Sequence, residues 1–175
     1  MEKSVKSSAI NYGLKLGLIL TLATVAMYAI NIDLFTEWYV GIVLFVVSLV
    51  VGIMSSVKAK NILGGYISFK QAFSSYFITM AVGTLIATVI GIVIFTFVDP
   101  EAADALNEKI LVMTKETMER FGAPQETIIE ALKEAEGKNN FSVNSQLMAW
   151  VWRLVIYSIF GLISSLIIKK AEDNA

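Results

Sequence analysis

Two cations stand where cations are expensive. Lys15 and Arg153 are the charged residues inside otherwise uninterrupted apolar runs, and an ionisable group in hydrocarbon is a functional candidate because its desolvation must be offset by a partner or by water. In the sharper reading each faces a polar interior and binds an anion or a carboxylate. In the plainer one each lies near the end of its run and snorkels to the head groups. At ~1.5 Å of rise per residue both lie within ~10 Å of an end, so snorkelling is the simpler reading. No Asp or Glu lies within the runs to pair with them or to relay protons. That removes an aspartyl intramembrane protease and weakens proton-coupled transport.

The other chemistry-bearing residue types offer less. The chain has no Cys and no His, which excludes disulfides, thiolate nucleophiles, HExxH zinc sites, Ser-His pairs and histidine haem ligands. Glu126, Glu130 and Glu134 recur every four residues. That spacing aligns three carboxylates on one helix face, more often a solvated stripe than an oxygen-ligand cation site. The stretch "NILGGYISFKQAF" (61–73) holds Gly64 and Gly65 but lacks the spacings of a phosphate loop. Ser68 to Gln71 instead matches S-x-x-Q, a capping box that opens a helix. Gly64 and Gly65 then free the chain to turn, and Lys58, Lys60 and Lys70 meet anionic lipid. No catalytic, cofactor-binding or metal-ligating residues are expected, and no cofactor.

The elements that must position these residues follow from composition. The 175 residues are 56% hydrophobic and only 17% charged, against about 25% charged in soluble domains, and mean hydropathy is +0.68. The apolar residues collect into four blocks, about 10–30, 38–57, 73–98 and 147–168, each near the ~20 residues a membrane helix needs. The first is read as a retained span rather than a cleaved signal, because Lys15 interrupts it. Lys3, Lys6, Lys58, Lys60, Lys70, Lys169 and Lys170 all fall on one side if both termini are cytoplasmic. Trp38, Tyr39, Trp150 and Trp152 then fall near the outer interface as aromatic anchors. A net charge of -1 with no basic patch gives no expectation of nucleic-acid binding.

The long connection 99–146 reads as two short amphipathic helices. Asp99 and Pro100 open the first and Gly122 stops it; Pro124 and Gly137 bracket the second. Leu106, Ile110, Met113 and Phe121 make a broken apolar stripe on one, and Ile128, Ile129, Leu132 and Ala135 on the other. Neither is stable alone in water. The pair packs on itself as a cap, binds a partner, or lies on the membrane's outer surface, the last disfavoured because acids dominate and basic polar-face residues are sparse. Ser142 or Asn144 caps the fourth span.

Small residues recur at helix-packing intervals: Gly13 and Gly17; Ser48, Gly52 and Ser56; Gly83, Ala87 and Gly91; Gly161 and Ser165. Such seams let backbones approach. Packing within one bundle is the simplest use, with the Gly83–Ala87–Gly91 seam the best candidate; a homo-oligomer seam is the runner-up.

The stretches "MEKSVKSSAINYGLKLGLILTL", "NILGGYISFKQAF", "VDPEAADALNEK", "RFGAP" and the closing "AWVWRLVIYSIFGLI…KK" resemble a bacterial family of four-span membrane proteins. That family is known mainly from the Bacteroidetes and classed as a domain of unknown function. The resemblance covers essentially the whole chain. It implies four spans, an outer insert before the last one and the cytoplasmic membrane as location; it implies no activity and no catalytic residues.

The expected fold is an all-α integral membrane four-helix bundle, one domain over 1–175, with an extracytoplasmic two-helix insert between spans 3 and 4. The expected role is non-enzymatic: an accessory or structural subunit of the bacterial inner membrane that presents the outer hairpin to a protein partner. The alternative is a small oligomeric transporter or channel using Lys15 and Arg153 in a polar interior.

Overall fold

The computed structural model describes residues 2–170. These residues form six α-helices: α1 (Lys3–Ile30), α2 (Trp38–Ile62), α3 (Phe69–Ile92), α4 (Pro100–Arg120), α5 (Gln125–Glu136) and α6 (Val143–Ile168). A π-helical turn, Val93–Val98, extends α3. Four of these, α1, α2, α6 and α3 with its extension, are long and apolar enough to cross a membrane. The fold is an all-α membrane bundle, with α4 and α5 inserted before its last helix. The helices overrun the apolar blocks, because polar turns such as 3–9 and 143–146 propagate a helix already nucleated by its apolar core.

Helix α3 forms the axis. It packs on α1, α2 and α6 and buries residues from Ala72 to Ile92. The outward faces of the others leave Leu18, Leu22, Ile42, Val43, Ile159 and Ile163 exposed, as lipid-facing helices do. Glycines let α3 come close. A Cβ added at Gly83 would lie 2.7 Å from Leu16 of α1, and one at Gly17 would lie 2.7 Å from Ile86 of α3. The Tyr76 ring is wedged between Gly52 of α2 and Gly161 of α6; added Cβ atoms there would come within 2.6 and 2.5 Å of it. The small-residue seams are thus used inside one chain.

Hydroxyls supply the second bond between helices. Thr79 on α3 donates to Ser55 Oγ of α2 at 2.7 Å and lies 3.0 Å from the Ala9 carbonyl of α1. Ser56 Oγ donates to the Ala72 carbonyl at 2.8 Å. This knot joins three helices where neither lipid nor water can satisfy a polar group.

At the same end lies the turn around Gly64 and Gly65, whose φ values of +76° and +97° favour glycine. The expected capping box is present: Ser68 Oγ accepts from Gln71 N–H, and Ser68 N–H donates to Gln71 Oε1 at 3.0 Å. Just before it, Ile67 exchanges two backbone hydrogen bonds of 3.0 Å with Lys170, and Lys60 Nζ donates to the Ile168 carbonyl at 3.0 Å. A lysine at a helix C-terminus satisfies an orphan carbonyl and meets the negative end of the dipole. Val5 of α1 packs into the same cluster with Ala59, Ile67 and Ala72. The start of α1, the α2–α3 turn and the end of α6 therefore share one end of the bundle.

The opposite end carries the insert. Asp99 caps α4 by accepting from Ala102 N–H at 3.0 Å, and its other oxygen accepts the Tyr28 hydroxyl at 2.9 Å. The π turn, closed by Asp99 N–H donating to the Ile94 carbonyl at 2.8 Å, brings consecutive residues Ile94 and Phe95 into one cluster with Ala102, Ala103 and Leu106. Tyr28 and Phe35 meet the Phe95 ring edge-on. Asp99→Ala is expected to cost about 1 kcal/mol, from a lost N-cap. Thermal unfolding in detergent, with hydrogen exchange of α4, checks this: α4 amides should exchange faster while those of α3 do not.

Candidate functional site

Two features of the structure are available for function: an interior cavity and the exposed end of the hairpin. The cavity, of about 490 Å³, lies among α1, α2, α3 and α6. Leu20, Met27, Leu44, Phe45 and Ala87 give it apolar walls, Ser48, Thr84, Thr88 and Tyr157 give it hydroxyls, and Phe35, Phe95, Asn140 and Phe141 roof it. Thr84 is held in place: its hydroxyl donates to the Met80 carbonyl at 2.6 Å and accepts from Trp150 Nε1 at 3.1 Å. The buried Thr88 hydroxyl has no hydrogen-bond partner.

Arg153 lines this cavity while its residue remains exposed, which places it at the mouth. It is the single charged residue of the lining, and it makes no salt bridge among the described residues. Lys15 does not join it. Lys15 is exposed on α1, its ammonium 5.3 Å from the Tyr12 ring centroid, a cation–π pair one helical turn apart. An interior shared by both cations is not favoured within one chain: Lys15 lies on the outward face of α1, while Leu16 and Gly17 take the inward positions.

The three seam residues have different surroundings. Gly83 meets Leu16 and is full; Gly91 faces Gln146 Oε1, 2.9 Å from an added Cβ; Ala87 lines the cavity. Trp150 turns its indole inward to Thr84, whereas Trp152 is exposed; residues two apart on a helix point ~200° from each other, so Trp152 is the one that faces outward as an anchor would. Gly64, Gly65 and Ser68 form the turn and cap described above, with Lys70 exposed beside them.

The hairpin both packs and projects. Leu106 is buried at its root, and Ile128 of α5 is buried where α5 packs on α4. Asn107 links it to the following loop, accepting from Asn140 N–H at 3.2 Å, and Lys109 pairs with Asp33 at 2.8 Å. Farther out, Val112, Met113, Phe121 and Ile129 are exposed, Phe121 by 84%. Between root and tip runs a groove of about 470 Å³ lined by Phe35, Ile110, Met113, Met118 and Phe141. In the Glu126–Glu130–Glu134 stripe, Glu134 is engaged by Lys138 at 2.7 Å, which holds its carboxyl below the usual range. Among the described residues no cluster of three acids is arranged to hold a metal.

A sequence model of a family described as a protein of unknown function (DUF4199) matches residues 11–170. The chain belongs to this family. The match begins within α1 and takes in the other three apolar helices, the cavity and the hairpin of this DUF4199 protein. No curated protein and no solved structure matches the chain.

Hydropathy does not disclose the cavity of a DUF4199 chain such as this one, because a space between helices leaves no trace in one helix's composition. The signal that was available is Arg153 with Tyr157 one turn on: two polar groups at i and i+4 share a helix face.

Proposed function

We propose that this DUF4199 protein is a non-enzymatic accessory or structural subunit of the bacterial cytoplasmic membrane, which presents the α4–α5 hairpin to a protein partner on the outer side. The observation that carries the reading is the exposed apolar residues of the hairpin: Phe121, Met113, Val112 and Ile129 stay exposed, while Leu106 packs the hairpin's root on the bundle and Ile128 is buried where α5 meets α4. We read them as one patch, because a contiguous exposed apolar patch marks an interaction surface where single exposed apolar residues do not. The acids of α4 and α5 argue against lying in the lipid surface, where basic polar faces are favoured. The absence of Cys and His from the sequence supports a role without catalysis.

Orientation rests on charge. Val5, the α2–α3 turn and the end of α6 share one end of the bundle, and Lys3, Lys6, Lys58, Lys60, Lys70, Lys169 and Lys170 flank these segments. That basic end belongs in the cytoplasm by the positive-inside rule. A cysteine replacing Lys138 is expected to react with an impermeant maleimide on intact cells and one replacing Lys60 only after lysis; the reverse pattern defeats the topology.

The partner is tested at the tip. Phe121→Glu combined with Ile129→Glu should keep the melting behaviour of the parent and lose at least about 90% of any protein co-purifying from native membranes, since truncating a few apolar anchors removes most interface energy. Unchanged co-purification places the partner surface elsewhere.

A further inference from the structure

The cavity goes beyond the partner reading, which makes no use of it. Its about 490 Å³ fall within the ~300–1,000 Å³ of small-molecule sites. Such sites are mostly apolar with a few placed polar groups, and this one has that make-up. Leu20, Met27, Leu44 and Phe45 form an apolar trough between membrane helices. Arg153 stands at the mouth with no carboxylate in the lining to neutralise it, and a guanidinium is suited to hold a carboxylate or phosphate through two parallel hydrogen bonds. Tyr157, one turn along, and Ser48 of α2 line the same space. Thr88 adds a buried hydroxyl that the protein leaves without a partner.

We propose that the cavity among α1, α2, α3 and α6 binds an anionic amphiphile, its head group on Arg153 and one acyl chain along Leu20, Leu44 and Phe45. The volume encloses a single chain, so the shared chemistry is one acyl chain bearing an anionic head, whether free or part of a membrane lipid. The exposed position of Arg153 on a helix that faces lipid makes lateral entry from the bilayer the route.

Trp150 reports on the site, because its indole bonds Thr84 in the cavity wall. With Trp38→Phe and Trp152→Phe, the 175-residue chain carries Trp150 as its one tryptophan. In phosphatidylcholine nanodiscs, dibromostearate is titrated and quenching of Trp150 followed. In a second arm the bromine is carried by the acyl chain of phosphatidylglycerol, and in a third by the matching neutral alcohol. The expected result is saturable quenching by an anion, with apparent affinity falling about tenfold or more in Arg153→Gln through loss of a charged hydrogen bond. Ala87→Leu, which narrows the cavity and leaves Arg153 in place, should weaken it as well. Saturation by the free carboxylate points to a soluble or released fatty acid, and by phosphatidylglycerol alone to a membrane lipid; either supports the site. Quenching that rises linearly with bromine content and is the same in both variants, or an alcohol that binds as tightly as the anions, overturns it.

Discussion

Gly161→Leu is expected to destabilise the bundle by about 3 kcal/mol or more, the upper end of the cost of overpacking a filled core. An added Cβ alone would lie 2.5 Å from the Tyr76 ring, and leucine adds three further carbons. The ring has nowhere to retreat. Gly52 stands on its other side at 2.6 Å from an added Cβ, and Tyr76 is 1% exposed. Helix propensity works in the opposite direction, since glycine is ~1 kcal/mol worse than alanine in a helix interior, but it cannot offset a clash with an aromatic ring. The melting temperature in detergent reads the loss. Combining Gly161→Leu with Tyr76→Ala should recover part of it, because the ring is what the leucine meets; a double variant no better than the sum of the two singles would mean that the ring is not wedged there.

The second large effect separates two residues that look alike in sequence. Gly83→Leu should cost about 3 kcal/mol, since an added Cβ meets three Leu16 side-chain atoms at 2.7–2.8 Å and Leu16 is itself fully buried. Ala87→Leu should change stability by less than about 1 kcal/mol, because Ala87 borders the cavity and a filled void regains dispersion contacts. Comparable losses from both substitutions would show that the cavity is closed in solution and that the whole small-residue seam is one tight contact.

Much of the architecture was legible because hydrocarbon imposes a length and a composition on any helix that crosses it. The four apolar blocks, the Ser68–Gln71 capping box and the Asp99 cap all rest on local rules, and local rules are written in contiguous residues. Which way a membrane helix faces is not. In water an amphipathic stripe marks the buried side, as Ile128 does on α5; in α2 and α3 apolar residues face both core and lipid, so no stripe separates them. That is why Lys15 and Arg153 looked equivalent and Trp150 was grouped with Trp152. The wedge of Tyr76 between two glycines, the π turn that brings Ile94 and Phe95 into one cluster, and the backbone pairing of Ile67 with Lys170 each join distant or irregular parts of the chain. The hairpin was legible as two helices, but its division into a buried root and an exposed tip depends on where Leu106 and Ile128 land in three dimensions.

The proposed role turns on the hairpin tip, and in-cell photo-crosslinking tests it most directly. A photoreactive phenylalanine analogue at Met113, at Ile129 and, as a control, at Glu126 on the polar face is irradiated in living cells of the native host. A discrete heterologous band from Met113 and Ile129, absent from Glu126, is the predicted result and identifies the partner. Self-crosslinks alone, or equal diffuse labelling from all three positions, would contradict it and make the hairpin a cap that serves only its own bundle.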